Sequence, residues 1–393
     1  LNQEERRARE VSDQLNTLIY LDNAATTRPC DAALAAVNTS LMEAYFNPSA
    51  SYTQGLHARK SLDACRTLIR SALKAHSVLF TSGGTEANNL AILGSMAGRH
   101  KRGKVLYLSV EHSAVAATCQ SLAKTHDVHA IPVDGQGLIN LDAAREMMDE
   151  DTALICVMQV NNEVGSVQPL QEVIRLRDER CPDAFLHVDG VQGFLRLPVS
   201  LFSGIDSYAL SAHKVHGIKG CGALALAERM KLKPQLFGGG QEGGLRAGTE
   251  NTAGVAALEA AIRDYPQENS LYLLKNRLKS GLLSLIPEAM VNGPDADSTQ
   301  SCGHILNMSF PPVRAQTMLN ALEARGVLVS QGSACSSGSP KPSRTLQAMG
   351  LHKERMDSAL RFSLGRFTTS QEIDTAVDLV WECYQELKQF TRR

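Results

Sequence analysis

Val78-Leu-Phe-Thr-Ser-Gly-Gly-Thr-Glu-Ala-Asn-Asn-Leu-Ala-Ile-Leu-Gly-Ser-Met96 carries the pattern that decides the fold. A short apolar run ends in small residues, and Glu86–Met96 then takes up helical spacing. The same order returns downstream. Val105–Val110 is apolar and β-prone, and the helical Ala114–Lys124 follows it. Ala153–Val160 is followed by the helical Leu170–Arg180, and Phe185–Val188, Ser207–Leu210 and Ala223–Leu226 are further short strands. Strands separated by helices predict an α/β fold, a mostly parallel sheet with helices on both faces. Such strands are buried on both sides and read as unbroken apolar runs, as these do.

The pattern changes after Thr249. Ala253–Ile262 and Leu271–Leu285 read as helices around Tyr265-Pro266; Ile305–Ser309, Ala315–Ala324, Val327–Ser330 and Ser370–Leu387 complete a smaller α+β unit. The expected organisation is an N-terminal segment over residues 1–30, a large domain over 31–262 and a small one over 263–393. A chain of 393 residues is long enough for a sizeable core. A net charge of −1 gives no basic excess for nucleic acid. No apolar run approaches the roughly 18 residues that span a bilayer, so no membrane partner is expected. The nine cysteines are scattered, without a CxxC. That excludes a disulfide scaffold and a zinc ribbon, and it predicts free thiols in the cytoplasm.

Polar residues stand where these strands end, and in a parallel α/β sheet ligands sit beyond the carboxyl ends of strands. Ser207-Tyr-Ala-Leu-Ser-Ala-His-Lys214 delivers Ser211, His213 and Lys214. A lysine there can form a Schiff base with a carbonyl cofactor, although a lone lysine is ordinarily a solvated surface residue. His187-Val-Asp-Gly-Val-Gln192 brings Asp189 straight out of an apolar strand, a position costly in desolvation unless a cation meets it. The ring nitrogen of pyridoxal phosphate is such a cation; a turn-capping aspartate is the plainer alternative. Thr81–Asn89 is strand, small-residue turn and helix start. Gly84 there lets backbone approach a phosphate and Thr85 adds a hydroxyl, or the turn is an ordinary N-cap. His112 follows the strand Val105–Val110 and could lie over a cofactor ring. Asn162, in Asn161-Asn162-Glu163-Val164-Gly165, could bond a phenolic oxygen or a substrate. Each piece is ambiguous alone. Together, in order and at strand ends, they point to a pyridoxal-phosphate enzyme, with no metal called for.

The sequence resembles the NifS/IscS group of cysteine desulfurases, in the class V aminotransferase branch of fold-type I enzymes. The matching stretches include Tyr20-Leu-Asp-Asn-Ala-Ala-Thr-Thr27, Asn47-Pro-Ser49, Thr81–Asn89, Glu111-His112, Asn161–Gly165 and His187–Gln192. Ser211–Lys214, Gly238–Asn251, Gly332-Ser-Ala-Cys335 and Arg361-Phe-Ser-Leu-Gly-Arg366 continue the set over nearly the whole chain. The resemblance implies a seven-stranded, mostly parallel sheet flanked by helices, with a smaller α+β C-terminal domain. It implies that Lys214 holds the cofactor, Asp189 pairs with its ring nitrogen and Gln192 with its phenolic oxygen. Gly84, Thr85, Ser211 and His213 would bind the phosphate. Thr249 would reach the cofactor of a second subunit, making the enzyme a homodimer. His112 would stack on the ring and assist proton transfer, with Lys214 or His112 as the base. Asn23, Asn162 and Arg361 would hold the substrate carboxylate, to which a guanidinium fork is suited.

Cys335 would carry the sulfur chemistry. Gln331-Gly-Ser-Ala-Cys-Ser-Ser-Gly-Ser-Pro340 has the composition of a flexible surface loop, where a thiol can ionise and react. The implied reaction converts L-cysteine to L-alanine and leaves a persulfide on Cys335. The sulfur then passes to an acceptor protein, an iron–sulfur scaffold or a tRNA-thiolation enzyme. Ile218, Gln331 and Gly243 depart from the family pattern without removing a catalytic group. A selenocysteine lyase or a class V aminotransferase is the nearest competing reading, and a non-catalytic scaffold the more distant one.

Overall fold

A computed structural model of the protein describes residues 18–97, 103–266, 270–332 and 342–390. The chain divides into two compact units. One comprises Leu1–Ala25, Asn162–Gly165 and Glu268–Arg393, the other Thr26–Asn161 and Ser166–Gln267. Strand β1 (Ile19–Tyr20) belongs to the first of these.

The larger unit is built on seven strands: β2 (Ser77–Thr81), β3 (Lys104–Leu108), β4 (Asp127–Ile131), β5 (Thr152–Met158), β6 (Phe185–Asp189), β7 (Ser207–Ser211) and β8 (Gly222–Leu226). Their order across the sheet is β2-β8-β7-β6-β5-β3-β4. Only β8 is antiparallel, to β2 and β7 alike, so the other six point one way. The mixed α/β class expected from sequence is the class observed. β5 is central and buried at every position, hence its unbroken Thr-Ala-Leu-Ile-Cys-Val-Met run. β4 is one of the two edge strands, and of its five residues only Ile131 is buried. Asp-Val-His-Ala-Ile therefore has no apolar run, and the sequence signalled no strand there.

Helix Gly84–Met96 lays Ala87, Leu90 and Ala91 on Leu79, Ala209 and Leu224 of the sheet. Helix Ser113–Ser121 packs Val115, Ala116 and Cys119 against Val105, Tyr107 and Leu154. Helices Asp31–Met42 and Thr252–Arg263 meet through Ala33, Ala257 and Ala261, side chains small enough for close backbone approach.

In the smaller unit β9 (Met290–Asn292), β10 (Ile305–Ser309) and β12 (Ala359–Ser363) form an antiparallel sheet in the order β12-β10-β9, and β11 (Val327–Leu328) pairs with β1 in parallel. Leu306, Met308, Phe310, Leu360 and Phe362 pack with Leu278, Met318, Leu322, Val380 and Tyr384 of its helices. Each fully buried aliphatic or aromatic side chain contributes about 1.5–3 kcal/mol. Helix Ser370–Lys388 opens on a capping box: the Thr369 hydroxyl accepts from Glu372 N and the Glu372 carboxylate accepts from Thr369 N.

Candidate active site

β2, β3, β5, β6 and β7 run in parallel, so their C-terminal ends share one edge of the sheet. Thr81 leads there to Gly84 and Thr85, Leu108 to Glu111 and His112, and Met158 to Asn161; β6 ends on Asp189 and β7 on Ser211. Gly84 begins its helix with no room for a side chain, since a Cβ would lie 2.6 Å from Val191 Cγ2. The first amides of a helix lack intrahelical acceptors and attract anions. The Ser211 hydroxyl beside this turn is buried and has no hydrogen-bond partner among the described residues. The Thr85 side chain is exposed.

Lys214 closes a 3-10 turn, Ala212–Lys214, and is half-buried. Segment 26–30 braces that turn. The Thr27 hydroxyl donates to the carbonyl of His213 at 3.0 Å and accepts from the amide of His216 at 2.9 Å, bracketing Lys214 on both sides. Thr27 N donates to the same His213 carbonyl at 2.9 Å. Arg196 Nη2 donates to the Lys214 carbonyl. His213 Nδ1 lies 3.1 Å from Thr26 Oγ1. Burial, with Lys214 and Lys219 adding repulsion, brings the His213 imidazole down to about 4, so it stays neutral at neutral pH.

Asp189 is fixed at both oxygens. Asn88 Nδ2 donates to Oδ2 at 2.8 Å and Val191 N to Oδ1 at 3.0 Å. Gly190 next to it is obligatory, because a Cβ would sit 1.8 Å from Tyr208 Cζ. Gln192 is buried two residues further on. His112 is the N-cap of helix Ser113–Ser121: its Nδ1 accepts from Ala114 N at 3.1 Å. That bond requires a bare Nδ1, so the neutral ring carries its proton on Nε2. Asn161 donates Nδ2 to the Val110 carbonyl at 3.1 Å. Thr249 is exposed, in a Gly-rich segment pinned by two ion pairs. Arg66 grips Glu242 at 2.8 and 2.9 Å, and Arg246 grips Glu86 at 2.7 and 3.3 Å.

In the smaller unit Arg361 sits mid-strand in β12, opposite Asn307, and is 1% exposed. Nη2 meets Asp22 Oδ1 at 2.7 Å and Nη1 donates to the Asn162 carbonyl at 2.9 Å, while Nε is buried with no partner among the described residues. A guanidinium with donor capacity to spare fits a carboxylate. Asn162 enters through its backbone. Asn23 donates Nδ2 to the carbonyls of Tyr20 and Ser363, at 3.2 and 3.0 Å, which ties the N-terminal segment to β12. Burial, helped by Asp22, pushes the Tyr20 phenol up to about 12. Glu163 accepts from the hydroxyls of Ser343, at 2.5 Å, and Thr345, at 3.0 Å.

Cys335 lies outside the described residues. The other eight cysteines are buried and form no disulfide. Burial raises Cys181 to about 11 and Cys221 to about 12, far from thiolate formation at neutral pH. Among the described residues no group of three or more His, Cys, Asp or Glu could hold a metal ion. No helix there is long and apolar enough to cross a membrane. Sequence reasoning gave no role to Asp22, Thr27, Asn88 or Glu163. All four stand inside the motif stretches, but their contacts to residues far along the chain left no local signal.

A parallel sheet that brings a lysine, a fixed carboxylate and a cradle for an anion to one edge defines the class: an enzyme built around pyridoxal phosphate. The residues fit that group, with the orphaned Ser211 hydroxyl and the Gly84 helix start for its phosphate and Asp189 for its ring nitrogen. Residues 19–376 match the family model described as Aminotransferase class-V, and the chain belongs to that family, in its cysteine desulfurase group. Pyridoxal phosphate is the cofactor of this family. The chain is 37% identical to a cysteine desulfurase IscS of Methanosarcina thermophila, covering 95% of this chain and 93% of that one. It is 36% identical to the cysteine desulfurase NifS of Azotobacter vinelandii, over 91% and 90% of the two chains. A solved NifS-like protein superposes with a TM-score of 0.87 at 31% identity, covering 94% of this chain and all of that one (100%).

Proposed function

We propose that this protein converts L-cysteine to L-alanine as a pyridoxal-phosphate-dependent cysteine desulfurase and leaves the sulfur on Cys335 as a persulfide. The observation that carries the reading is the convergence of Lys214, Asp189, the orphaned Ser211 hydroxyl and the Gly84 helix start at one edge of the sheet. Pyridoxal phosphate supplies an electron sink for the pair released when the substrate Cα–H bond breaks. Lys214 anchors it and takes the α-proton. Asp189 keeps a proton on the ring nitrogen, and Gln192 faces the phenolic oxygen. Gly84, Thr85, Ser211 and His213 receive the phosphate; His213, neutral, serves as a hydrogen-bond partner rather than a charge. His112 stacks and acts as a donor, because its capping bond places the proton on Nε2. Arg361 binds the substrate carboxylate, with Asn23 and Asn162 shaping the segments around it.

In the sulfur step the Cys335 thiolate attacks the substrate sulfur. A sulfur–sulfur bond forms and the carbon–sulfur bond breaks with its electron pair left on Cβ; a proton added at Cβ and the α-proton returned to Cα leave alanine. The persulfide passes to an acceptor protein of iron–sulfur assembly or tRNA thiolation. Thr249 completes the site of a second subunit in a cytoplasmic homodimer; its exposure supports that role. Incubation with L-cysteine and no keto acid tests the reading. Alanine in step with a persulfide on Cys335 supports it. Alanine that appears only with added keto acid would mean transamination instead.

A further inference from the structure

The Asp189 carboxylate ends a buried chain of side chains. Asn88 Nδ2 donates to Asp189 Oδ2 at 2.8 Å, Asn88 Oδ1 lies 2.9 Å from His187 Nε2, and His187 Nδ1 lies 2.9 Å from Ser207 Oγ. Asn88 is 1% exposed, and His187 and Ser207 are 0%. The fold assembles this chain from three elements. Asn88 comes from the second turn of helix Gly84–Met96, on the face that packs on the sheet. His187 and Asp189 stand two apart on β6 and so share a face. Ser207 is the register partner of His187 on β7.

The direction of every bond follows from one fact. An ionised carboxylate only accepts, so Asn88 turns its NH₂ to Asp189 and its carbonyl oxygen to His187. That oxygen also only accepts, so His187 carries its hydrogen on Nε2. A neutral imidazole then has a bare Nδ1, which accepts the hydrogen bond that the Ser207 hydroxyl donates. Burial keeps the ring neutral by lowering its pKa to about 3. Rotating the Asn88 amide would set acceptor against acceptor at Asp189, and the His187 N–H opposes that rotation.

We propose that Asn88, His187 and Ser207 are positioning residues, a one-way hydrogen-bond chain that orients the Asp189 carboxylate toward the cofactor's ring nitrogen. This rests on the role given to Asp189 above. Glu111, Cys156 and Tyr208 also face that carboxylate; burial pushes all three up, which disfavours a second negative charge beside it. The Asn88 and Val191 N–H groups are then the donors that offset its desolvation. Donors fixed beforehand around a charge stabilise it without reorganisation during the reaction.

The experiment compares holoenzymes of wild type, Asn88→Ala, His187→Phe, His187→Gln and Ser207→Ala. The primary readout is the pH titration of the bound cofactor's visible absorbance, with thermal unfolding, kcat and KM measured alongside. Asn88→Ala and His187→Phe are expected to move the titration midpoint and to lower kcat about tenfold or more, the worth of a hydrogen bond to a charged group, with KM for L-cysteine little changed. His187→Gln keeps an N–H near the Nε2 position and restores most of both; Ser207→Ala has the smallest effect. Folded His187→Phe or Asn88→Ala holoenzyme that titrates as wild type overturns the relay. Should one of them fail to fold, the other decides by the same criterion. Asp189→Asn is the control. If it shifts the midpoint while both relay variants leave it in place, the relay alone falls. If Asp189→Asn also leaves the midpoint unmoved, the role of Asp189 falls and the relay with it.

Discussion

In the larger unit the candidate site groups stand past the ends of strands; in the smaller unit Arg361 sits in the middle of one. The parallel sheet collects strand ends at a single edge, where turns leave backbone groups free to meet ligands. Lys214, Ser211 and Gly84 need little more than that edge and a brace. An arginine in the middle of an antiparallel strand is buried and must be neutralised in place, and Asp22 does this at 2.7 Å. The lesson is that a position at a strand end is polar by default, whereas a charge within a strand brings its partner along. Losing a strand-end group should therefore damage chemistry more than folding, and losing the mid-strand group should damage both.

Lys214→Ala is expected to have the largest effect. Alanine formation should fall by about 10⁴-fold, as for the loss of a group that moves the reacting proton, and the cofactor's absorbance should be lost on dialysis. The denaturant midpoint of the apoprotein should barely move. Turnover within tenfold of wild type would break the comparison at its first term. Arg361→Leu should raise KM for L-cysteine and also destabilise the fold by about 3–5 kcal/mol, because the Asp22 carboxylate loses its partner. Adding Asp22→Leu to that variant should recover part of the stability and none of the KM. Equal KM in Arg361→Leu and wild type would remove Arg361 from substrate binding.

Thr27→Val sharpens the account of the lysine turn. It removes the hydroxyl between the His213 carbonyl and the His216 amide and should cost about 1–3 kcal/mol, together with a lower kcat, while Thr27→Ser stays near wild type. A Val variant with unchanged kcat would reduce the brace to a matter of stability. The last expectation concerns pH dependence. His187 and His213 titrate near 3 and 4 in the fold against about 6.5 when unfolded. Between those values the unfolded chain binds more protons, so stability rises with pH. Their contribution is complete above about 6.5 and is lost as pH falls through 4 toward 3. Denaturant melts between pH 7 and 4 should show this decline, less steeply in His187→Gln.

The legible part of this molecule was the buried part. β2, β3, β5, β6, β7 and β8 are apolar runs because both faces are covered, and the polar residues directly after them marked the candidate site. Edge strand β4 was silent because water covers most of it, unlike the buried edge strand β2. β12 was silent because Arg361 interrupts Ala-Leu-Arg-Phe-Ser, whose partner Asp22 lies 339 residues away in sequence. Helix Asp31–Met42 gave no stripe of large apolar residues, since Ala33 and Ser40 make its buried face, whereas Thr53–Leu73 does present Leu62, Cys65, Ile69 and Leu73 at helical spacing. Thr27 and Asn88 were visible as letters but not as contacts, since each acts on a residue about a hundred or more positions away.

The single reversed strand has a consequence for motion. Ser211, the last residue of β7, pairs in register with Gly222, the first of β8. The turn that carries Lys214 is thus closed at its base by interior strands of the sheet rather than by a rim. Amides at that base can meet solvent deuterium only when the middle of the sheet separates, which is nearly the same event as unfolding the unit. Those of β4, on the outside, can exchange by local fraying. The base of the lysine turn is therefore expected to open with the sheet itself rather than by local fraying.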